Sequence, residues 1–124
     1  MQRAVRIFAA PAAIVMGLAL AAPAWAGFGA VAYDQNTQKY GASFDQPTQS
    51  QAFEAALRQC ASKDCRVHPV EPKGCGALAM SVKDKAWGGA DRLTLDDAQH
   101  DAVVRCQAHT KAGDCTVRAS GCNK

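Results

Sequence analysis

Three histidines, six cysteines and a few carboxylates are the side chains of this sequence that could do chemistry. A hydrolytic site needs a base beside a nucleophile, with a third group orienting the base. His68, His100 and His109 are the candidate bases. His68 precedes Pro69 in an alternating stretch from Arg66 to Val70, and His100 and His109 lie on and just past a helical stretch, outside its apolar face. All three read as solvated surface histidines. No Gly-x-Ser-x-Gly elbow, phosphate-cradling glycine loop or His-Glu-x-x-His helix is present. Asp96 and Asp97 are adjacent, so on a helix they diverge by about 100°. They suit the positive end of a helix better than a glycosidase pair facing across a cleft. Asp64 and Asp114 each precede a cysteine, which suggests a shared turn role. No catalytic residue, metal site or cofactor is expected, and the chain reads as a non-enzyme rather than an enzyme.

The cysteines admit two chemistries. Cys60-x4-Cys65 and His100-x5-Cys106-x2-His109 can be drawn as zinc ligands. Neither has the tight paired spacing of a structural zinc site. Disulfides are the preferred reading, because the chain opens like an exported protein. Arg3 and Arg6 give a positive start, Ile7 to Ala22 is an unbroken apolar run, and Ala24-Trp25-Ala26 resembles a cleavage site. Residues 1–26 are therefore expected to be a signal peptide and Gly27 the mature N-terminus. An uncleaved anchor is the competing reading, since about 20 apolar residues suffice to span a bilayer. Pro11, Pro23 and the Ala-Trp-Ala site favour cleavage. The expected location is periplasmic or secreted, without membrane attachment after cleavage.

Residues 27–124 then form one domain of 98 residues. Of the 14 Lys and Arg, Arg3 and Arg6 leave with the signal, so 12 stand against 11 Asp and Glu. With no basic run either, nucleic acid is not an expected partner.

The elements that position these residues come in two copies, about 28–74 and 75–122. Gly29-Ala30-Val31-Ala32 returns 47 positions later as Gly76-Ala77-Leu78-Ala79, and Asp64-Cys65-Arg66-Val67 echoes in Asp114-Cys115-Thr116-Val117. Each copy offers a hairpin of two short strands. A helix follows, opened by Thr48-x-x-Gln51 or Thr94-x-x-Asp97 as a capping box. Phe53, Ala56, Leu57 and Cys60 share one helical face, as do Ala98, Ala102, Val103 and Cys106. A last strand closes each copy. The expected fold is α+β: two β-β-α-β repeats forming antiparallel sheet, with two helices packed on it and disulfides linking it.

Six cysteines leave many pairings open. The loop between helix and last strand differs in length between the copies, yet a cysteine flanks it on both sides each time. That favours local links, Cys60–Cys65 and Cys106–Cys115. Cys75 and Cys122 remain, and they would meet if an approximate two-fold axis relates the copies.

Gly29 to Asp34, the aromatic-Gly step (Tyr40-Gly41 and Trp87-Gly88), the Ala-rich helix ending in Cys60, Asp64 to Val67, and Cys75 to Ala79 together resemble a bacterial exported family, domain of unknown function 4189. The resemblance spans Phe28 to Cys122. It implies export and a small cysteine-linked domain, and it brings no catalytic residues. Tyr40 departs from the Trp common at the aromatic-Gly step.

Tyr33, Tyr40 and Trp87 are the candidate partner-binding residues. On a shared sheet face they could make a platform for a sugar or a partner loop. The preferred alternative has them covering glycine backbone and closing the core. The favoured function is a non-enzymatic binding domain for an envelope or secreted protein, like an inhibitor or immunity factor. A small cell-wall hydrolase using His68 or His100, and a structural envelope component, are the alternatives.

Overall fold

In a computed structural model, which describes residues 27–124, the two halves of the chain have the same element order. The first contains β1 (Phe28–Tyr33), β2 (Tyr40–Gln46), α1 (Gln49–Cys60) and β3 (Arg66–Val70). The second contains β4 (Cys75–Met80), β5 (Trp87–Arg92), α2 (Leu95–Gln107) and β6 (Thr116–Cys122). Each half folds as one three-stranded antiparallel sheet, ordered β2-β1-β3 and β5-β4-β6. The assignment of residues 1–26 to a signal peptide lies outside the described residues.

Both helices begin as their threonines dictate. The Thr48 hydroxyl accepts from the Gln51 amide at 3.1 Å and the Thr94 hydroxyl from the Asp97 amide at 3.2 Å. Such a cap contributes about 1 kcal/mol. Each helix covers one face of its own sheet with small side chains. Ala52, Ala56 and Cys60 of α1 pack on Ala30 and Ala32, while Ala98, Ala102 and Cys106 of α2 pack on Ala77, Ala79 and Ala90. Phe53, Leu57 and Val103 flank these faces, only partly buried.

Alanine alone does not set the close approach. A Cβ at Gly41 would stand 2.3 Å from the Ala56 carbonyl oxygen, and one at Gly88 would stand 2.3 Å from the Cys106 amide nitrogen. The glycine of each aromatic-Gly step is thus where helix backbone meets sheet backbone. The expectation that the aromatic ring covers its own glycine is corrected here. Neighbouring strand residues point to opposite faces, so the helix covers Gly88 while Trp87 points the other way.

Those other faces turn towards each other. Tyr33 of one sheet packs with Leu78 and Met80 of the other, and Trp87 joins them. The layers run helix, sheet, sheet, helix. On one side of this sandwich β2 lies against β6. Phe44 fills that side: a Cβ on Gly121 would come within 2.5 Å of its ring. Asn123 seals the same end. It is 5% exposed. Its amide group donates to the Val70 and Glu71 carbonyls at 3.1 and 2.8 Å, and its carbonyl accepts from the Asp45 amide at 2.9 Å. At the hairpin end the Gln38 amide donates to the Ser81 carbonyl at 2.9 Å.

Cys60 is bonded to Cys65, Cys106 to Cys115, and Cys75 to Cys122. The last pair meets for a reason other than a two-fold axis between the copies. Both cysteines belong to the second sheet, where Cys75 of β4 stands directly opposite Cys122 of β6.

Candidate functional site

The side of the sandwich opposite Phe44 is open. There β3 and β5, each an edge strand, border a cleft of ≈ 390 Å³. Strand position explains the asymmetry. The fifth residue of β2 is Phe44, which closes its side, and the fifth residue of β5 is Asp91. A carboxylate cannot fill an apolar gap between sheets without losing its hydration. Asp91 accepts a hydrogen bond from the Glu71 amide at 3.2 Å instead, and the cleft stays open.

Its floor and walls are apolar or bare. Val31, Val70, Ala90 and Trp87 line it, and Gly89 adds backbone without a side chain. A Cβ on Gly89 would meet nothing closer than 3.8 Å, in contrast to its neighbour Gly88. Arg105 and His109, from α2 and the turn after it, stand at the rim with Asp91. The Arg105 guanidinium donates to the Gly89 carbonyl at 2.9 Å. The Arg92–Asp101 pair is the salt bridge found among the described residues, so Arg105 carries its charge without a carboxylate partner.

Three rings pack together here, and two of them, His68 and Trp87, line the cleft. Tyr33 and Trp87, from different halves of the chain, have centroids 4.1 Å apart. His68 stacks on Tyr33 with an interplanar angle of 2° at 5.6 Å, and lies 5.6 Å from Trp87. Tyr33 is 2% exposed, Trp87 half-buried, and His68 open on one side. Of the aromatic residues singled out in the sequence, Tyr33 and Trp87 come together. Tyr40 pairs with Tyr33 across the β1–β2 ladder but is 42% exposed and outside the ring cluster. His68, read from the sequence as a surface histidine, is exposed on β3 as expected, and its place beside Tyr33 was not anticipated.

Burial, reinforced by the positive charge of Arg66, pushes the His68 imidazole below its ordinary pKa. Burial raises the Tyr33 phenol, with Arg66 opposing. The polar contact of His68 is the Tyr33 hydroxyl at 3.5 Å, and among the described residues no carboxylate hydrogen-bonds to it. The ring is held by stacking rather than oriented as a base. His100 is exposed on α2. A second, polar cavity of ≈ 410 Å³ lies on the other side of Trp87, lined by Asp34, Asp64 and Arg66 among others. There the Ser62 hydroxyl donates to Asp34 and holds its carboxyl down to about 2.

Residues 28–122 match the family model described as Domain of unknown function (DUF4189). The chain belongs to this family. It is also similar to Protein Rv1269c of Mycobacterium tuberculosis and Protein Mb1300c of Mycobacterium bovis. Each is 36% identical over 96 residues, covering 77% of this chain and 69% of the relative. The fold is similar to the NMR structure of Rv1813c from Mycobacterium tuberculosis, with a TM-score of 0.61 and 28% identity over 84% of this chain and 81% of that one. Three disulfides fit an exported domain of this family. Among the described residues no helix is long and apolar enough to cross a membrane.

Proposed function

We propose that this family member is a periplasmic or secreted binding domain that takes part of an exported partner protein into the cleft between β3 and β5. The observation that carries this reading is the open side itself. One side of the sandwich is plugged by Phe44, and the corresponding side presents an apolar cleft walled by Trp87 and His68. Its volume of ≈ 390 Å³ lies within the range of ordinary binding clefts. Two disulfides fasten the loops that precede β3 and β6, and the third ties β4 to β6. A pre-organised frame loses little entropy on binding. A hydrolase reading lacks comparable support, because among the described residues no carboxylate hydrogen-bonds to His68.

The test is capture of a stoichiometric partner from the envelope or medium of the native host, using the natural protein and Gly89→Val in parallel. A Cβ at Gly89 makes only ordinary contacts, 3.8 Å from the Ala77 carbonyl and the Trp87 ring, so the variant adds bulk to the cleft without a clash of its Cβ with backbone. The partner should be retained by the natural protein and lost by Gly89→Val. Equal retention by both would place binding elsewhere. Wall-lytic activity that disappears in His68→Ala would replace the reading with the hydrolase.

A further inference from the structure

Three features of the cleft bear on what enters it. First, β5 is an edge strand, so one row of its backbone groups is free to pair with an extended chain. Second, that row is not free along its whole length. Arg105 reaches over from α2 and donates to the Gly89 carbonyl at 2.9 Å, and the Arg92 guanidinium takes the next outward carbonyl, that of Asp91, at 2.8 Å, so the row is open only on the Trp87 side. A chain lying along β5 therefore runs into a guanidinium at Gly89. Third, this guanidinium spends one hydrogen bond on Gly89 and has no carboxylate partner among the described residues. Arg offers five donors in a planar fork that matches a carboxylate.

An obstruction in mid-strand excludes a chain that continues past it. The same obstruction suits a chain that stops there, provided its end is negative. Beside that point lies the apolar floor of Val31, Val70 and Trp87, which suits the side chain of a last residue. We propose that the cleft recognises a polypeptide C-terminus: the main chain alongside β5, the terminal carboxylate on Arg105, and an apolar terminal side chain against Trp87. This rests on the cleft being the binding site, as argued above, and names the part of the partner that enters it.

The probes are acetyl-Ala-Ala-Phe with a free carboxylate, the same peptide as its C-terminal amide, and decanoate. Each is titrated into the ¹⁵N-labelled protein, following the Gly89 amide and the Trp87 indole. The free acid should shift both signals and bind roughly ten-fold or more tighter than the amide, the loss expected for one charge-assisted contact. Arg105→Gln should reduce the acid to the level of the amide. Gly89→Val, checked for folding by near-ultraviolet circular dichroism, should abolish binding of both peptides. Equal binding of acid and amide, or shifts confined to residues away from the cleft, would overturn the proposal. So would decanoate binding where the peptides do not, which would mark a site for small or lipid acids. If the peptides fail while Gly89→Val still loses the native partner, C-terminal recognition falls and the cleft stands. If Gly89→Val keeps the partner, the cleft itself falls.

Discussion

Asp34 and Ser81 follow the first strand of each half and do the same work with exchanged chemistry. Each donates its amide to the carbonyl closing its hairpin, Asp34 to Lys39 and Ser81 to Ala86, both at 2.8 Å. Each also ties its hairpin to the loop after the helix. Asp34 does so as the carboxylate, accepting from the Ser62 hydroxyl. Ser81 does so as the hydroxyl, donating to the Asp114 carboxylate at 2.5 Å. The shared turn role expected of Asp64 and Asp114 is corrected accordingly. Asp114 accepts from Ser81 and the Lys83 amide, whereas Asp64 contributes its own amide to Ser62, because in its half the acid, Asp34, stands just after the strand.

Acid should loosen the first half through Asp34. Its carboxyl is held at about 2 against an ordinary 3.8. A depressed carboxylate stabilises the fold above the unfolded value and loses that contribution as pH falls through the folded one. Stability should therefore decline from near pH 4 down to about 2. Urea midpoints across this range should fall less steeply in Asp34→Asn. An unchanged slope would show that Asp34 is not the group responsible.

His68 gives a second window with the same direction. Its folded pKa lies below the ordinary 6.5, so the neutral ring is favoured in the fold. The contribution is complete above pH 6.5 and drains away below it. His68→Gln should flatten the stability profile on that slope. NMR titration of the ring should show a midpoint lower than that of His68 in the unfolded chain.

Adjacent glycines should respond oppositely. Gly88→Ala forces a Cβ into α2 backbone and should destabilise by roughly 1–3 kcal/mol or more. Gly89→Ala meets only ordinary contacts and should stay within about 0.5 kcal/mol. Denaturant melts of the two proteins decide it, and similar losses would mean the helix does not approach at Gly88.

Trp87 closes the core against Tyr33, Leu78 and Met80 while also lining the cleft. Trp87→Ala should cost roughly 2–4 kcal/mol, somewhat below a fully buried aromatic. It should also lose the partner. A variant as stable as the natural protein would place the ring outside the core.

The disulfides should differ in weight. The Cys75–Cys122 bond spans a separation of 47 residues and Cys60–Cys65 spans 5. Chain entropy predicts about 4 kcal/mol for the long link and about 2 for the short one. Paired Cys→Ser variants, melted side by side, should keep that order, and unreduced peptide maps should recover the same three links.

Much of this fold was legible. Alternation marked the strands, Thr48 and Thr94 marked the helix starts, and cysteines flanking a loop of variable length pointed to local links. The facing of the two sheets was not, because Val31, Tyr33, Leu78 and Met80 alternate as any half-buried strand would, whatever covers them. The cleft was hidden for the same reason. Its one sequence signal is Asp91 where the other hairpin has Phe44, visible only when the halves are superposed at their 47-residue offset. Tyr33 and Trp87 stand 54 positions apart in the chain, and nothing local says that their rings touch.

The seal made by Asn123 sets an order of assembly. In a chain emerging N-terminus first, β1, β2, β3, α1 and both cysteines of the Cys60–Cys65 bond all precede the residue that seals their sheet. The Val70 and Glu71 carbonyls and the Asp45 amide must then wait on water until Asn123 arrives. The first sheet matures as an unfinished surface, and residue 123 is its latch.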